Sequence, residues 1–317
     1  MGGPLAERPH RQVPSAVSHL NGFIMSVFQP QQASKPNVDV AVEMRRGHVG
    51  IEDTDQTLLA IFREHLARRT KDAPLRIFDI CSGSGFFIRR LSRELPEASR
   101  HELFAHEDEP EVLALLQARL RESPIRIHAG SFHDWREPID VLLSWGSFHH
   151  MPREYLSHAR TLLRPGGLVV IADEFCPEHL TPAMVERIRS AAAIHIANGY
   201  VLTSDAELAA YTETGALPPI ALELERARQQ VLWKWYRHVV DVMMDRECLN
   251  AALYELRTTR DDLDTAFGSE HKLSPLVGER ELALLGFEMV SRHVPVNEPA
   301  PARDSFFVYV YRPAQSH

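Results

Sequence analysis

"FDICSGSGF", residues 78–86, leaves an apolar run through an acid and a cysteine and ends on two glycines two residues apart. A glycine pair at a strand end lets a ligand or a packed neighbour lie against bare backbone. The run starts upstream, in "LRIFDI" (75–80), which reads as a buried strand, and "FIRRLSREL" (87–95) reads as the helix after the turn. The alternation continues outward. "ELFAHE" (102–107), "IRIHAG" (125–130), "IDVLLSW" (139–145) and "LVVIAD" (168–173) are strand-like. Between them lie the helical "EPEVLALLQARLRE" (109–122) and "REYLSHARTLL" (153–163), and "RPGG" turns the chain into the last strand. Apolar strands alternating with amphipathic helices predict a parallel sheet covered on both faces.

The residues around the glycines restrict the ligand. A Walker phosphate loop requires Lys and Ser or Thr after its last glycine, and Phe86 and Phe87 stand there instead. A dinucleotide turn needs GxGxxG; here the third glycine is missing and two aromatic rings take the room of a pyrophosphate. "D-x-C-S-G-S-G", with Asp79 ahead of the glycines, resembles motif I of the class I S-adenosylmethionine (SAM)-dependent methyltransferases, an acid followed by GxGxG.

Four further segments carry the resemblance in order. "LFAHEDEPEVLALLQ" is similar to the family's second strand, "IRIHAGSFHDW" to its third, "IDVLLSWGSFHHMP" to its fourth and "ARTLLRPGGLVVIAD" to the turn into its fifth. The resemblance covers roughly 75–175 and 275–312. It implies a Rossmann-like α/β fold, a seven-stranded mainly parallel sheet with a C-terminal antiparallel hairpin, here with a helical insertion. It implies SAM as cofactor. Motif I would hold its methionine portion, with Asp79 toward the ammonium and Cys81, Gly83 and Gly85 in the loop. Glu107, beside Asp108, would accept from the ribose hydroxyls, since a carboxylate suits a vicinal diol. Ser131 stands where many relatives have an Asp for the adenine, Phe132 would pack on the adenine face, and Ser144 and Trp145 would wall the pocket. Cys81 replaces the first glycine of the pattern, so its φ is expected to stay negative and the loop to be slightly displaced. As a thiol it reads as a small buried apolar residue.

Bulk properties bound the partners. The chain has 317 residues, enough for one large domain or a domain with an insertion. Its 35 basic and 43 acidic side chains leave a net charge of -8, so neither nucleic acid nor an anionic membrane surface is an expected partner. No apolar run of about 18 residues predicts a membrane span, and the first 20 residues carry no signal-type apolar stretch. Cys81, Cys176 and Cys248 form no CxxC pair, and 17 histidines are scattered. A reducing, cytoplasmic location and no metal site are expected.

The alternation stops after Cys176. Residues 1–52 read as an N-terminal arm whose patch "LNGFIMSVF" (20–28) packs on the body or forms a flap, and 53–176 as the cofactor-binding core. Residues 177–274 read as an almost wholly helical insertion, and 275–317 as a helix with the last two strands, "GFEMVSRHVPV" (286–296) and "SFFVYVYR" (305–312). In "QQVLWKWYRHVVDVMMDRE" one helical stripe holds Leu232, Trp235, Tyr236, Val239 and Met243, and a second holds Trp233, Val240 and Met244. Two apolar faces predict contact on two sides, in a bundle, a homodimer interface or a lid over a small acceptor.

Methyl transfer to a small-molecule acceptor, in the manner of specialised metabolism, is the expected activity. The alternatives are another use of SAM, by cyclisation or aminocarboxypropyl transfer with release of methylthioadenosine, and a non-catalytic subunit. His149 and His150, just after the fourth strand, are the candidate bases, with packing or hydrogen bonding as their other reading. Tyr200 and Tyr236, on helical segments of the insertion, are candidates for the acceptor pocket and, beside a sulfonium, for cation–π contact.

Overall fold

Five strands follow one another in parallel: β1 (Arg76–Asp79), β2 (Glu102–Glu107), β3 (Arg126–Ala129), β4 (Ile139–Trp145) and β5 (Leu163–Glu174). A separate hairpin, β6 (His195–Ala197) and β7 (Tyr200–Leu202), comes next, and β8 (Phe287–His293) and β9 (Phe306–Pro313) return to the main sheet. Its order is β3-β2-β1-β4-β5-β9-β8, with β9 antiparallel to both neighbours. This is the Rossmann-like arrangement that the resemblance implies, down to the reversed pair at one edge. The computed structural model describes residues 38–69, 74–95, 100–264 and 271–315. All of them except Val38 and Asp39 fall in one unit, Val40–His317.

Period-two alternation along each strand builds two cores. Ile77, Val141, Leu143, Val170, Ala172, Val308 and Val310 face one side. Helices α1 (Val38–Gly47), α2 (Ile51–Arg69), α3 (Phe86–Glu94) and α4 (Pro110–Leu120) precede or connect these strands. Leu58, Leu59 and Phe62 of α2, Ile88 and Leu91 of α3 and Leu116 of α4 cover that side. Phe78, Leu142, Val169, Ile171 and Tyr309 face the other, under Tyr155, Leu156 and Ala159 of α5 (Arg153–Leu162). Both faces are dry, so polar chemistry is pushed to the strand ends. The chain leaves β1 toward β2 and β3 and then comes back to β4 on its other side. That reversal opens a crevice beyond the carboxyl ends of β1 and β4, where open α/β sheets take their ligands.

The segment after β5 holds α6 (Pro182–Ser190), the hairpin, α7 (Asp205–Thr214), α8 (Pro219–Asp245), α9 (Leu249–Leu263) and then α10 (Pro275–Leu284). It is therefore not wholly helical. The hairpin turns on Asn198 and Gly199, with φ of 47° and 81°, the left-handed pair that an Asn-Gly turn favours. Tyr200 accordingly sits on a strand, against Tyr211 of α7. On α8 the stripe Leu232, Trp235, Tyr236, Val239 and Met243 is buried, whereas Trp233 and Met244 of the second stripe are about half exposed. Val240 of that stripe is partly buried against the same core as the first stripe.

Residues 38–52, read as part of an arm, form α1 and the start of α2. The patch at 20–28 and the flap reading lie outside the described residues. α1 and α2 reach the carboxyl edge of the sheet through Asp55, which is fully buried. Asp55 accepts from Arg45, from Arg90 at 2.9 Å and from the Trp145 indole at 2.6 Å. A carboxylate so deep is tolerated only with such partners.

Candidate active site

Strand ends deliver the polar groups to the crevice. Asp79 closes β1 and is 2% exposed. Burial, with the Glu107 charge added, pushes its carboxyl up to about 7 against a hydrogen bond from Ser82. Its Oδ1 has no hydrogen-bond partner among the described residues. An orphaned buried carboxylate oxygen is costly and calls for a donor, a cation best of all.

Past Asp79 the chain bends. Cys81 takes φ 49°, so the expected negative φ is corrected: a residue with a Cβ holds the left-handed conformation, which costs roughly 1–2 kcal/mol. Gly83, at φ 57°, has nothing within 4 Å of the position its Cβ would take, and the same openness holds at Gly130 after β3 and Gly146 after β4. Gly85 differs. At φ 73° its Cβ would lie 2.5 Å from Leu116 Cδ1, so this glycine allows α4 to approach the start of α3.

Glu107 closes β2 at hydrogen-bonding distance from the same loop. Its Oε2 accepts from the Gly83 N–H at 3.0 Å, and its Oε1 from the N–H groups of Asp108 and Glu109 at 3.1 Å each. Burial still lifts its pKa above the ordinary value, outweighing these three donors. Asp108 accepts from the Tyr155 hydroxyl at 2.5 Å. Ser131 caps the short helical turn after β3 by accepting from the His133 N–H.

Three of the expected cofactor contacts need correction or narrowing. Phe132 is fully buried among Phe78, His106, Tyr155 and His158 and is a core residue, not an adenine platform. Ser144 is also fully buried, its hydroxyl paired with Ser147 at 2.7 Å, so the side chain offers nothing to a ligand. Trp145 stands at the end of β4 with its indole N–H tied to Asp55 and its side chain partly buried against two of the cores.

On the far side of the crevice, His149 follows β4 and meets Asp173, the penultimate residue of β5. Its Nδ1 lies 2.9 Å from Asp173 Oδ1, and its backbone N–H donates to Oδ2 at 3.0 Å. Asp173 is fully buried. Burial opposes its ionisation, but the charge and hydrogen bond of His149 and the Glu174 N–H outweigh it and hold the carboxyl below the ordinary value. An ionised carboxylate only accepts, so Nδ1 carries a proton, in the imidazolium and in the neutral ring alike; Nε2 is the position at which the two forms differ. His150 is exposed, its ring 4.8 Å from that of His149.

Tyr236 is not available as a reactive group. Its buried hydroxyl donates to Asp262 at 3.0 Å and accepts from Lys272 at 2.5 Å. It belongs to a network in which Arg228 bonds Glu225 twice, at 2.8 and 2.9 Å, and Asp262 at 2.8 Å. Two cations and two anions balance there, and burial drives the phenol pKa well up. Tyr200 is partly exposed on the hairpin. Asp173 was not among the sequence candidates. The signal that finds it is the one that finds Glu107, an acid at the carboxyl end of an apolar strand.

The crevice fits the cofactor that the resemblance implies. Asp79 supplies an unmatched carboxylate for an ammonium, Glu107 a carboxylate at the neighbouring strand end for a diol, and Gly83 open backbone between them. Among the described residues, no group of His, Cys, Asp and Glu is arranged to hold a metal ion, and no helix is long and apolar enough to cross a membrane.

The family model described as a methyltransferase domain matches residues 77–167, which is the span from β1 into the start of β5. No curated protein matches the chain. Among solved structures the chain is similar to the CurJ carbon methyltransferase, at 14% identity and a TM-score of 0.48 over 82% of this chain and 54% of that one. It is similar to the mitomycin 7-O-methyltransferase MmcR, at 12% identity and 0.41 over 75% and 49%. It is also similar to CalS10, an amino pentose methyltransferase from Micromonospora echinaspora involved in calicheamicin biosynthesis, at 21% identity and 0.35 over 46% and 59%. The chain spans about half the length of these solved chains. Residues 77–167 thus match a methyltransferase-domain model.

Proposed function

We propose that the chain is a SAM-dependent methyltransferase acting on a small-molecule acceptor. The observation that carries this reading is the pairing of two strand-end carboxylates, Asp79 and Glu107, across an open glycine backbone. When bound, SAM supplies an electrophilic methyl on a sulfonium. The chain's own residues bind and orient: Asp79 holds the ammonium end, Glu107 the sugar hydroxyls, and Trp145 one wall. His149, oriented by Asp173, takes the proton that a hydroxyl, amine or acidic carbon must lose, at Nε2. Positioning of the two reactants supplies much of the remaining rate. The net negative charge supports a small acceptor over a polyanionic one.

Incubation with SAM and a panel of small hydroxylated, amine-bearing and 1,3-dicarbonyl compounds tests the proposal, with S-adenosylhomocysteine (SAH) and a methylated product expected. Methylthioadenosine formed from SAM alone would instead establish cyclisation, and methylthioadenosine formed only when an acceptor is added would establish aminocarboxypropyl transfer. Failure to bind either nucleoside would sink both readings.

Glu107→Ala is expected to weaken SAM binding by about 1.5–3 kcal/mol, the scale of a lost charge-assisted hydrogen bond. It also strips the acceptor from the Gly83 N–H, so the loop itself loosens. Calorimetric titration with SAH reads the loss, and an affinity equal to that of the unmodified chain would remove Glu107 from the cofactor site.

A further inference from the structure

We propose that His106 is a positioning residue for the cofactor, a neutral imidazole that latches the motif I bend to the loop after β3 and so sets the separation of the two backbone segments that flank the crevice. The inference rests on the proposed function for its ligand. His106 is the penultimate residue of β2 and fully buried. Along a strand, successive side chains point to opposite faces. Glu107 therefore reaches the glycine loop from one side, and His106 from the other.

Every polar atom of His106 is spent on these segments. Its Nδ1 lies 3.2 Å from the Cys81 N–H, and its Nε2 lies 2.8 Å from the Gly130 carbonyl. A backbone N–H can only donate and a carbonyl only accept, so Nδ1 carries the lone pair and Nε2 the proton. Its backbone N–H donates to Ser82 Oγ at 3.1 Å, and its carbonyl accepts from the Ser82 N–H at 2.7 Å. Ser82 Oγ in turn donates to the Asp79 carbonyl at 2.7 Å. The latch thus spans the chain from Asp79 to Cys81 on one side and Gly130 on the other. It accounts for the left-handed φ of Cys81, because the N–H of a residue bent that way finds its acceptor in the ring.

The surroundings keep the ring neutral. Phe78, Phe132 and Tyr155 stand with ring centroids 5.8–6.1 Å away. Burial lowers the imidazole pKa to about 4, against the hydrogen bond to Gly130. A proton on Nδ1 would turn the acceptor of the Cys81 N–H into a second donor. Packing alone would be served by phenylalanine in this aromatic cluster. What an imidazole adds is one acceptor and one donor at a fixed spacing, joined to loops that carry Asp79, Gly83 and Ser131.

The test compares the wild-type chain with His106→Phe, His106→Asn and His106→Gln, using SAH as the calorimetric probe. His106→Phe keeps the ring packing and removes both bonds, and its dissociation constant is expected to rise about tenfold or more. His106→Asn returns an acceptor near the Nδ1 position and His106→Gln a donor near the Nε2 position, so each should fall between the two. A nitrogen NMR measurement on the wild-type chain should find the Nε2–H tautomer, still neutral at pH 5. Wild-type affinity in His106→Phe overturns the proposal, and so does an Nδ1–H tautomer. Should His106→Phe not fold, the amide variants decide, and unchanged affinity in both overturns it. A wild-type chain that binds no SAH gives a different result: the proposed function fails, and the cofactor role of His106 goes with it.

Discussion

His149→Ala is expected to lower kcat by about 10²–10⁴-fold, the usual contribution of a positioned general base, with little change in SAM affinity. The geometry gives the reason. The Asp173 carboxylate, ionised despite complete burial, fixes Nδ1 as the donor, so that in the neutral ring the lone pair falls on Nε2. The same carboxylate holds the His149 backbone N–H, so ring and main chain are oriented by one group. Asp173→Asn should act through the tautomer. An amide whose N–H faces Nδ1 forces the proton onto Nε2 and removes the base, so kcat falls without loss of SAM binding. Asn can also face its oxygen to Nδ1, which keeps the tautomer but gives up the anion that stabilises the imidazolium. Either way the Asn variant should lie between wild type and His149→Ala. His150→Ala serves as the control, since that ring is exposed. An unchanged kcat in His149→Ala would mean that the acceptor loses its proton to solvent and that the pair only shapes the pocket.

The parts of this molecule legible in its sequence are those where a local pattern and a chemical need coincide. Asp79, Gly83 and Glu107 lie at strand ends after apolar runs, and strand ends are where a doubly covered sheet must put its polar groups. Phe132 was unreadable because its burial is set by Tyr155 and His158 of α5, far along the chain. Cys81 misled for a related reason. Intrinsic preference favours negative φ, but an acceptor 25 residues away, the His106 ring, holds the other sign. In the insertion, Asn198-Gly199 carries a hairpin signal in plain view, yet strands of three residues give too little alternation to compete with the helical pattern on both sides. Tyr236 reads by type as an acceptor-pocket residue, and only the fold brings Lys272 and Asp262 to its hydroxyl.

Binding of SAM is expected to release a proton and to weaken as the pH falls below about 7. Asp79 ionises near 7 in the folded chain because burial and the Glu107 charge oppose its anion. An ammonium needs that anion, so below the pKa each binding event must first expel a proton. For one such group, the dissociation constant should rise about tenfold between pH 8 and pH 6. The enthalpy should vary with the ionisation heat of the buffer, in proportion to the proton released. Asp79→Asn should lose both dependences, along with about 1.5–3 kcal/mol of affinity at pH 8. The same group makes a stability statement of opposite sense. A free carboxyl ionises near 3.8 and the folded one near 7, so in that window the folded chain holds the extra proton and stability falls as pH rises. Asp79→Asn should therefore gain stability relative to wild type at pH 8 while losing the ligand. Affinity for SAH independent of pH in the wild-type chain, or equal in the Asn variant, would place the ammonium elsewhere and take motif I out of the cofactor site.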